Sequence, residues 1–280
     1  MKTMKKTSIQ IRNFLNILRS GAFDDVKPIG MLSNYKWSKL VDLAKMHGLI
    51  QIFANGLERY HYDNNLNISE SLINVIRGEL RNAPVTGFAD LYDFDHMTLQ
   101  SKPLNQKLQD IVRKEYGDPE RSFETLQVMA IIVLNAEHIL TGRSYLKGII
   151  DLGRYLRLEG NKVDFVKLEE WLKKTEMTGM ANLQGSLLIT GFGFSAEELP
   201  FVSKIVKKPM KQLLSAISHD DLSQLRPWAL HESKGGFVVG SPLKIFRSVR
   251  QSLRFQHFAP RETYATIFRG LAKGISEIEE

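Results

Sequence analysis

The stretch GFADLYDFDHM, Gly87 to Met97, decides what kind of protein this chain is. On either side of it apolar residues recur at helical spacing. Between about Asn82 and Pro103 that rhythm stops, and Asp90, Asp93 and Asp95 crowd together. Asp93, Phe94 and Asp95 alternate acid, aromatic, acid, and alternation along a strand puts both carboxylates on one face. On a sheet that pair would hold magnesium. In a helical protein it is an acidic loop, with Leu91, Tyr92 and Phe94 anchored in the core and the aspartates in water.

The flanks favour helices. Upstream, Ile9, Ile11, Phe14, Leu15 and Leu18 form an amphipathic first helix. Trp37, Leu40, Val41, Leu43, Ala44 and His47 line a second, ended by Gly48, with Ser38 as its expected N-cap. Ile50, Phe53, Leu57 and Tyr60 give a third, and Leu72, Ile73, Ile76 and Leu80 a fourth. Downstream, Pro103 opens a helix closed near Gly117. Ser122 starts the most apolar segment, which runs to Leu140 and stops at Thr141 and Gly142. Leu146–Leu158, Val163–Lys174 and Met180–Ile189 follow as helices, and a last pair begins at Pro242. The fold class is therefore mainly α, a multi-helix globular bundle with at most a small extended element near residues 84–100. We expect a helical body over residues 1–238, including the irregular acidic segment 83–103, and basic C-terminal helices over 239–280 that pack on or extend from it.

Bulk composition agrees with a globular protein. The 280 residues are 43% hydrophobic and 25% charged, with a net charge of +7. No apolar run approaches the roughly 18 residues of a membrane span. The absence of cysteine removes disulfides and thiolate metal sites. Nothing directs export: the N-terminal lysines lack the apolar core of a signal peptide, so a cytoplasmic location is expected.

Several segments share their order with a known family. WSKLVDLAKMHGLI (Trp37–Ile50) resembles the opening helix of an uncharacterised bacterial nucleotidyltransferase-like family of bacteroidete-type genomes. LNAEHIL (Leu134–Leu140) and LKGIIDLGRYL (Leu146–Leu156) are similar to its later helical hairpin. VDFVKL (Val163–Leu168) and MANL (Met180–Leu183) resemble the helices after it; Gly235–Phe237 and FAPRET (Phe258–Thr263) resemble its C-terminal region. In that family a nucleotidyltransferase palm lies between the early helices and the hairpin. Here only about Arg81 to Ser122 is available, and its second half is helical. A mixed sheet needs several strands of about 5 residues plus connections, which do not fit. The resemblance thus implies the helical framework without the catalytic palm.

Two constellations carry functional expectations. If Asp93 and Asp95 share a strand face, they would bridge magnesium ions for nucleotidyl transfer. That chemistry also needs a glycine-rich helix start for the phosphates and a third carboxylate on a neighbouring strand. Gly87 is too close to Asp93 to supply the first; Asp110, Glu115 and Asp118 fall on or after a helix. The acidic loop is therefore the stronger reading, and Asp90 and Asp93 serve equally as helix caps.

The second constellation is the C-terminal charge. From Ser241 to Lys273 the cations Lys244, Arg247, Arg250, Arg254, Arg261, Arg269 and Lys273 face the single carboxylate of Glu262. On a helix from Pro242, Arg247, Arg250 and Arg254 share a stripe beside Leu243, Phe246, Val249 and Leu253. Its plain reading is a surface helix that packs its apolar stripe and exposes its arginines. As a binding surface, Lys244, Arg247, Arg250 and Arg254 suit a protein partner, with a nucleic-acid backbone or anionic lipid as alternatives. Lys204, Lys207, Lys208 and Lys211 form a second cluster. The histidines make no ligand set, His138 is expected in the core, and Ser195 with Glu198 has capping-box spacing. The expected function is a non-catalytic, nucleotidyltransferase-like binding or accessory module with no cofactor; the alternative is a magnesium-dependent nucleotidyltransferase using Asp93 and Asp95.

Overall fold

A computed structural model describes residues 9–82, 97–142, 145–207, 209 and 249–276. Every regular element among the described residues is helical, as the periodicity predicts. The chain divides into two compact units, residues 1–85 and 86–280. The division falls inside the acid-rich interval. The expected boundary between residues 238 and 239 lies outside the described residues, as do positions 83–96.

The first unit contains α1 (Ile9–Phe23), α2 (Asn34–Met46), α3 (Ile50–Glu58) and α4 (Glu70–Asn82). Its core forms where α1 lies on α3. Phe14, Ile17 and Leu18 from one helix and Phe53 and Leu57 from the other are buried, with the Phe14 and Phe53 rings 5.8 Å apart. Burying side chains of this size contributes roughly 1.5–3 kcal/mol each. Two glycines set how closely the helices approach. A Cβ on Gly21 would fall on the Ile52 carbonyl oxygen, and one on Gly56 would fall on that of Ile17. Backbone meets backbone at both places, so neither position has room for a side chain.

Polar side chains tie the α1–α2 connection to this pair. Asn13, fully buried, uses both ends of its amide on the backbone of Gly30. The Tyr60 hydroxyl donates to the Lys27 carbonyl at 2.7 Å. The N-cap of α2 is Ser33, whose hydroxyl accepts from the Lys36 amide at 3.4 Å. Ser38, the cap expected from sequence, instead lies inside the helix and donates to the Tyr35 carbonyl at 2.9 Å. The helix begins a turn earlier because Ser33 caps it ahead of the apolar stripe. Trp37 is buried, and its indole N–H finds Asn67 at 3.0 Å.

The second unit contains α5 (Lys102–Gly117), α6 (Phe123–Thr141), α7 (Leu146–Glu159), a 3-10 turn (Gly160–Lys162), α8 (Phe165–Lys174), α9 (Thr178–Phe192), a short helical segment at 249–254, and α10 (Pro260–Ser276). Helices α6 and α9 form its interior. Both are buried on nearly every side, which is why neither has a strongly polar face. Ser122 caps α6 by accepting from the Thr125 amide at 3.2 Å, and Gly142 ends it at a φ of 75°, the left-handed conformation glycine adopts without penalty. By length and composition alone α6 is long and apolar enough to cross a membrane, contrary to the expectation that no stretch comes close. It is a core helix instead, with 67% of its most apolar window buried within the protein.

Two amides interrupt this apolar interior. Asn135 donates to the Gln184 side-chain oxygen at 3.0 Å, and Gln184 donates to the Ile132 carbonyl at 3.0 Å. Gly148 of α7 packs directly over Asn135; a Cβ there would collide with the Asn135 oxygen.

Two outcomes follow. Replacing Gly56 by Ala forces α1 and α3 apart and is expected to destabilise the first unit by about 1–3 kcal/mol, read from denaturant unfolding. His47 is buried, and burial pushes its imidazole from 6.5 down to about 4. The unfolded chain therefore takes up that proton first on acidification. The stability this histidine supports is intact above about pH 6.5 and falls as the pH drops towards 4, by up to about 3 kcal/mol. A His47→Leu variant should flatten the pH dependence of unfolding in that window.

Candidate functional site

The basic C-terminal stretch is held by two unrelated contacts. The first is at the end of α6. A helix leaves its last carbonyls without intrahelical donors. Here the segment 249–254 supplies them from outside: Gln251 donates to the Ile139 carbonyl at 3.1 Å and Ser252 to the Leu140 carbonyl at 2.8 Å. Ser252 is consequently buried, along with Phe255. Leu253, expected in the packed apolar stripe with Val249, is 42% exposed, while Val249 is half-buried. The need for donors at the α6 terminus outranks the burial of one leucine.

With Ser252 inward, Arg250 and Arg254 face solvent. Neither forms an ion pair with a described acid. Both stand within a turn of the groups that engage the α6 carbonyls, where a positive charge complements the negative helix end by about 0.3–1 kcal/mol. Arg254 also acts on Tyr145. Burial raises the pKa of that buried phenol, and the nearby guanidinium opposes the rise. The other two predicted surface residues, Lys244 and Arg247, lie outside the described residues.

The second contact runs from α10 to the start of α5. Both carboxylate oxygens of Glu262 accept backbone N–H groups, from Gln100 at 2.6 Å and from Ser101 at 3.0 Å. Glu262 is nearly fully buried and has no cationic partner among the described residues. Burial raises its pKa, the two amides pull it down, and the charge of Glu137 adds to the rise; the net direction is upward. Sequence counting treated Glu262 as the one negative charge of the tail surface. It is an interior group, so at the surface it does not offset the exposed Arg250, Arg254, Arg261 and Arg269. The only hint in the sequence was its isolation, a lone acid two residues after Pro260.

The acids considered for metal chemistry divide in two. Asp90, Asp93 and Asp95 lie outside the described residues. Glu115 and Asp118 do come together, but around a lysine. The Lys167 ammonium reaches Glu115 at 3.1 Å, Asp118 at 3.3 Å and the Glu120 carbonyl at 3.0 Å. Its partial burial would lower its pKa; the two carboxylates outweigh that and raise it. Glu115 also accepts from the Ser122 amide at 2.7 Å, fixing the turn into α6. On α7, the buried Asp151 pairs with Lys147 at 2.6 Å. These clusters are structural ion pairs. Among the described residues no three His, Asp or Glu side chains gather as a cation site.

His138 is half-buried on α6 rather than deep in the core. Ser195 and Glu198 form the reciprocal bonds of a capping box, 2.7 and 3.3 Å, but they close a turn and not a helix. No family model matches the chain, and no curated protein or solved structure is significantly similar to it.

Removing the Glu262 carboxylate leaves two inward-facing amides unpaired. Glu262→Ala is expected to destabilise the second unit by about 1–3 kcal/mol, while Glu262→Gln, which keeps one acceptor, loses less; thermal unfolding of the three proteins checks the order.

Proposed function

We propose that this chain is a non-catalytic binding or accessory module related to nucleotidyltransferase-like proteins, and that its cationic C-terminal surface is where it meets an acidic protein partner. The contact residues would be Arg250 and Arg254 together with Lys244 and Arg247 of the same sequence run. One observation carries the reading: the segment bearing Arg250 and Arg254 is fastened from behind by Gln251 and Ser252, which leaves both guanidinium groups in solvent without a described acid to neutralise them. Fixed arginines on a backed helix are pre-organised for carboxylates, since less side-chain and backbone freedom is lost on binding. The ordered series of helices from Trp37 to Thr263 supports the kinship, and the cytoplasmic location remains part of the proposal.

The test is binding of a fluorescent poly-glutamate peptide, with single-stranded DNA and phosphatidylserine vesicles as competitors. Binding of the peptide should weaken with salt and fall at least about tenfold in Arg250→Glu/Arg254→Glu, with folding unchanged. Peptide binding that ignores salt and the double variant overturns the surface. Magnesium-dependent nucleotide transfer abolished by Asp93→Asn overturns the non-catalytic assignment.

A further inference from the structure

The arginine surface has an apolar component that charge counting misses. Ser252 and Phe255 are buried, and the same segment displays Leu253, 42% exposed, with Arg250 and Arg254 beside it. The two arginines are four residues apart, one helical turn, and Leu253 is adjacent in sequence to the second and three residues from the first. One tight turn further on, the Gln256 amide donates to the Leu253 carbonyl at 3.3 Å. The exposed Gln256 side chain in turn accepts from the Tyr264 hydroxyl at 3.5 Å. That contact brings a phenol, 50% exposed, alongside the segment that carries the leucine and the arginines.

We infer that this surface selects among acidic partners: it takes a protein segment that carries an aliphatic side chain among its carboxylates. The carboxylates meet Arg250 and Arg254, and the aliphatic group lies against Leu253 and Tyr264. This rests on the acidic-partner reading of the same arginines and narrows it to a class of sequence.

Guanidinium groups in water hold carboxylates weakly, and added salt loosens that hold further. An apolar contact beside them is not screened, and it adds affinity that a purely acidic chain cannot gain. Protein interfaces concentrate their binding energy in such a pairing of an apolar or aromatic centre with arginine. The charge pair decides what covers the leucine, because a neutral apolar segment would leave both guanidinium groups without partners. A phosphodiester backbone supplies anions but no aliphatic side chain. Membrane insertion requires a broad apolar face, and this segment keeps its larger apolar side chain, Phe255, inside the protein.

Three fluorescent peptides separate the outcomes: poly-glutamate, a peptide of the same charge with leucines interspersed, and a counterpart of the second with glutamine in place of glutamate. The full chain should bind the glutamate–leucine peptide at least about tenfold more tightly than poly-glutamate, and the advantage should persist at about 0.5 M salt. Leu253→Ser should remove that advantage and leave poly-glutamate binding unchanged. Tyr264→Ser should reduce it, with circular dichroism unchanged in both variants. Arg250→Glu/Arg254→Glu should weaken both acidic peptides. Equal affinity for the two acidic peptides overturns the inference, as does an advantage that survives both serine variants, or glutamine–leucine binding that is equally tight. The acidic-partner reading survives those results wherever poly-glutamate binding is still lost in the arginine double variant. Glutamate–leucine binding indifferent to the arginine double variant overturns both. So does binding to phosphatidylserine vesicles, lost in Leu253→Ser, by a chain that takes up neither acidic peptide.

Discussion

A buried carboxylate with no described countercharge governs how the C-terminal part of this protein is arranged. Glu262 meets the amides at the start of α5 from a helix more than 160 positions later in the chain. Charged acceptors on backbone N–H groups are among the stronger hydrogen bonds, and the positive end of a helix adds to them. Leaving such a carboxylate buried without those donors would be costly, so the contact fixes the rotation of α10 about its own axis. Two properties of the surface follow directly. Glu262 is withdrawn from the surface, and Tyr264, Phe268 and Leu271 are turned towards water.

The end of α6 works by the same logic with the roles reversed. There the unsatisfied groups are carbonyls, and the incoming segment brings donors, Gln251 and Ser252. The arginines are displayed because a serine is needed inside. Electropositive character at this surface thus results from backbone hydrogen-bond demand at two helix termini, one asking for an acceptor and the other for donors.

Much of the helical architecture was legible because it is local. The start of α6 at Ser122, its stop at Gly142 and the Pro103 opening of α5 are written within four residues of where they act. The apolar runs Ile50, Phe53, Leu57, Tyr60 and Leu104, Leu108, Ile111 are buried as their spacing implies. What the sequence hid depends on partners far along the chain. Ser252 and Leu253 trade places because of a carbonyl 112 residues away. Glu262 goes inside because of amides that no window around Pro260 contains. Glu115 and Asp118 are absorbed by Lys167, which belongs to another helix. Composition near a site reports which groups are present, but not which of them the fold has already spent.

The amide pair inside the second unit has a further effect. Helices α6 and α9 are greasy over nearly their whole circumference, and greasy cylinders slide and roll past each other at little penalty. Asn135 donates to Gln184 at the setting observed, and Gly148 leaves its gap at that same height. Shifting α6 by a single turn would strand two side-chain amides in hydrocarbon and push the α7 backbone off its seat. The trio therefore acts as a key that selects one packing from many of similar hydrophobic content, and gives a core made mostly of interchangeable aliphatics a unique alignment.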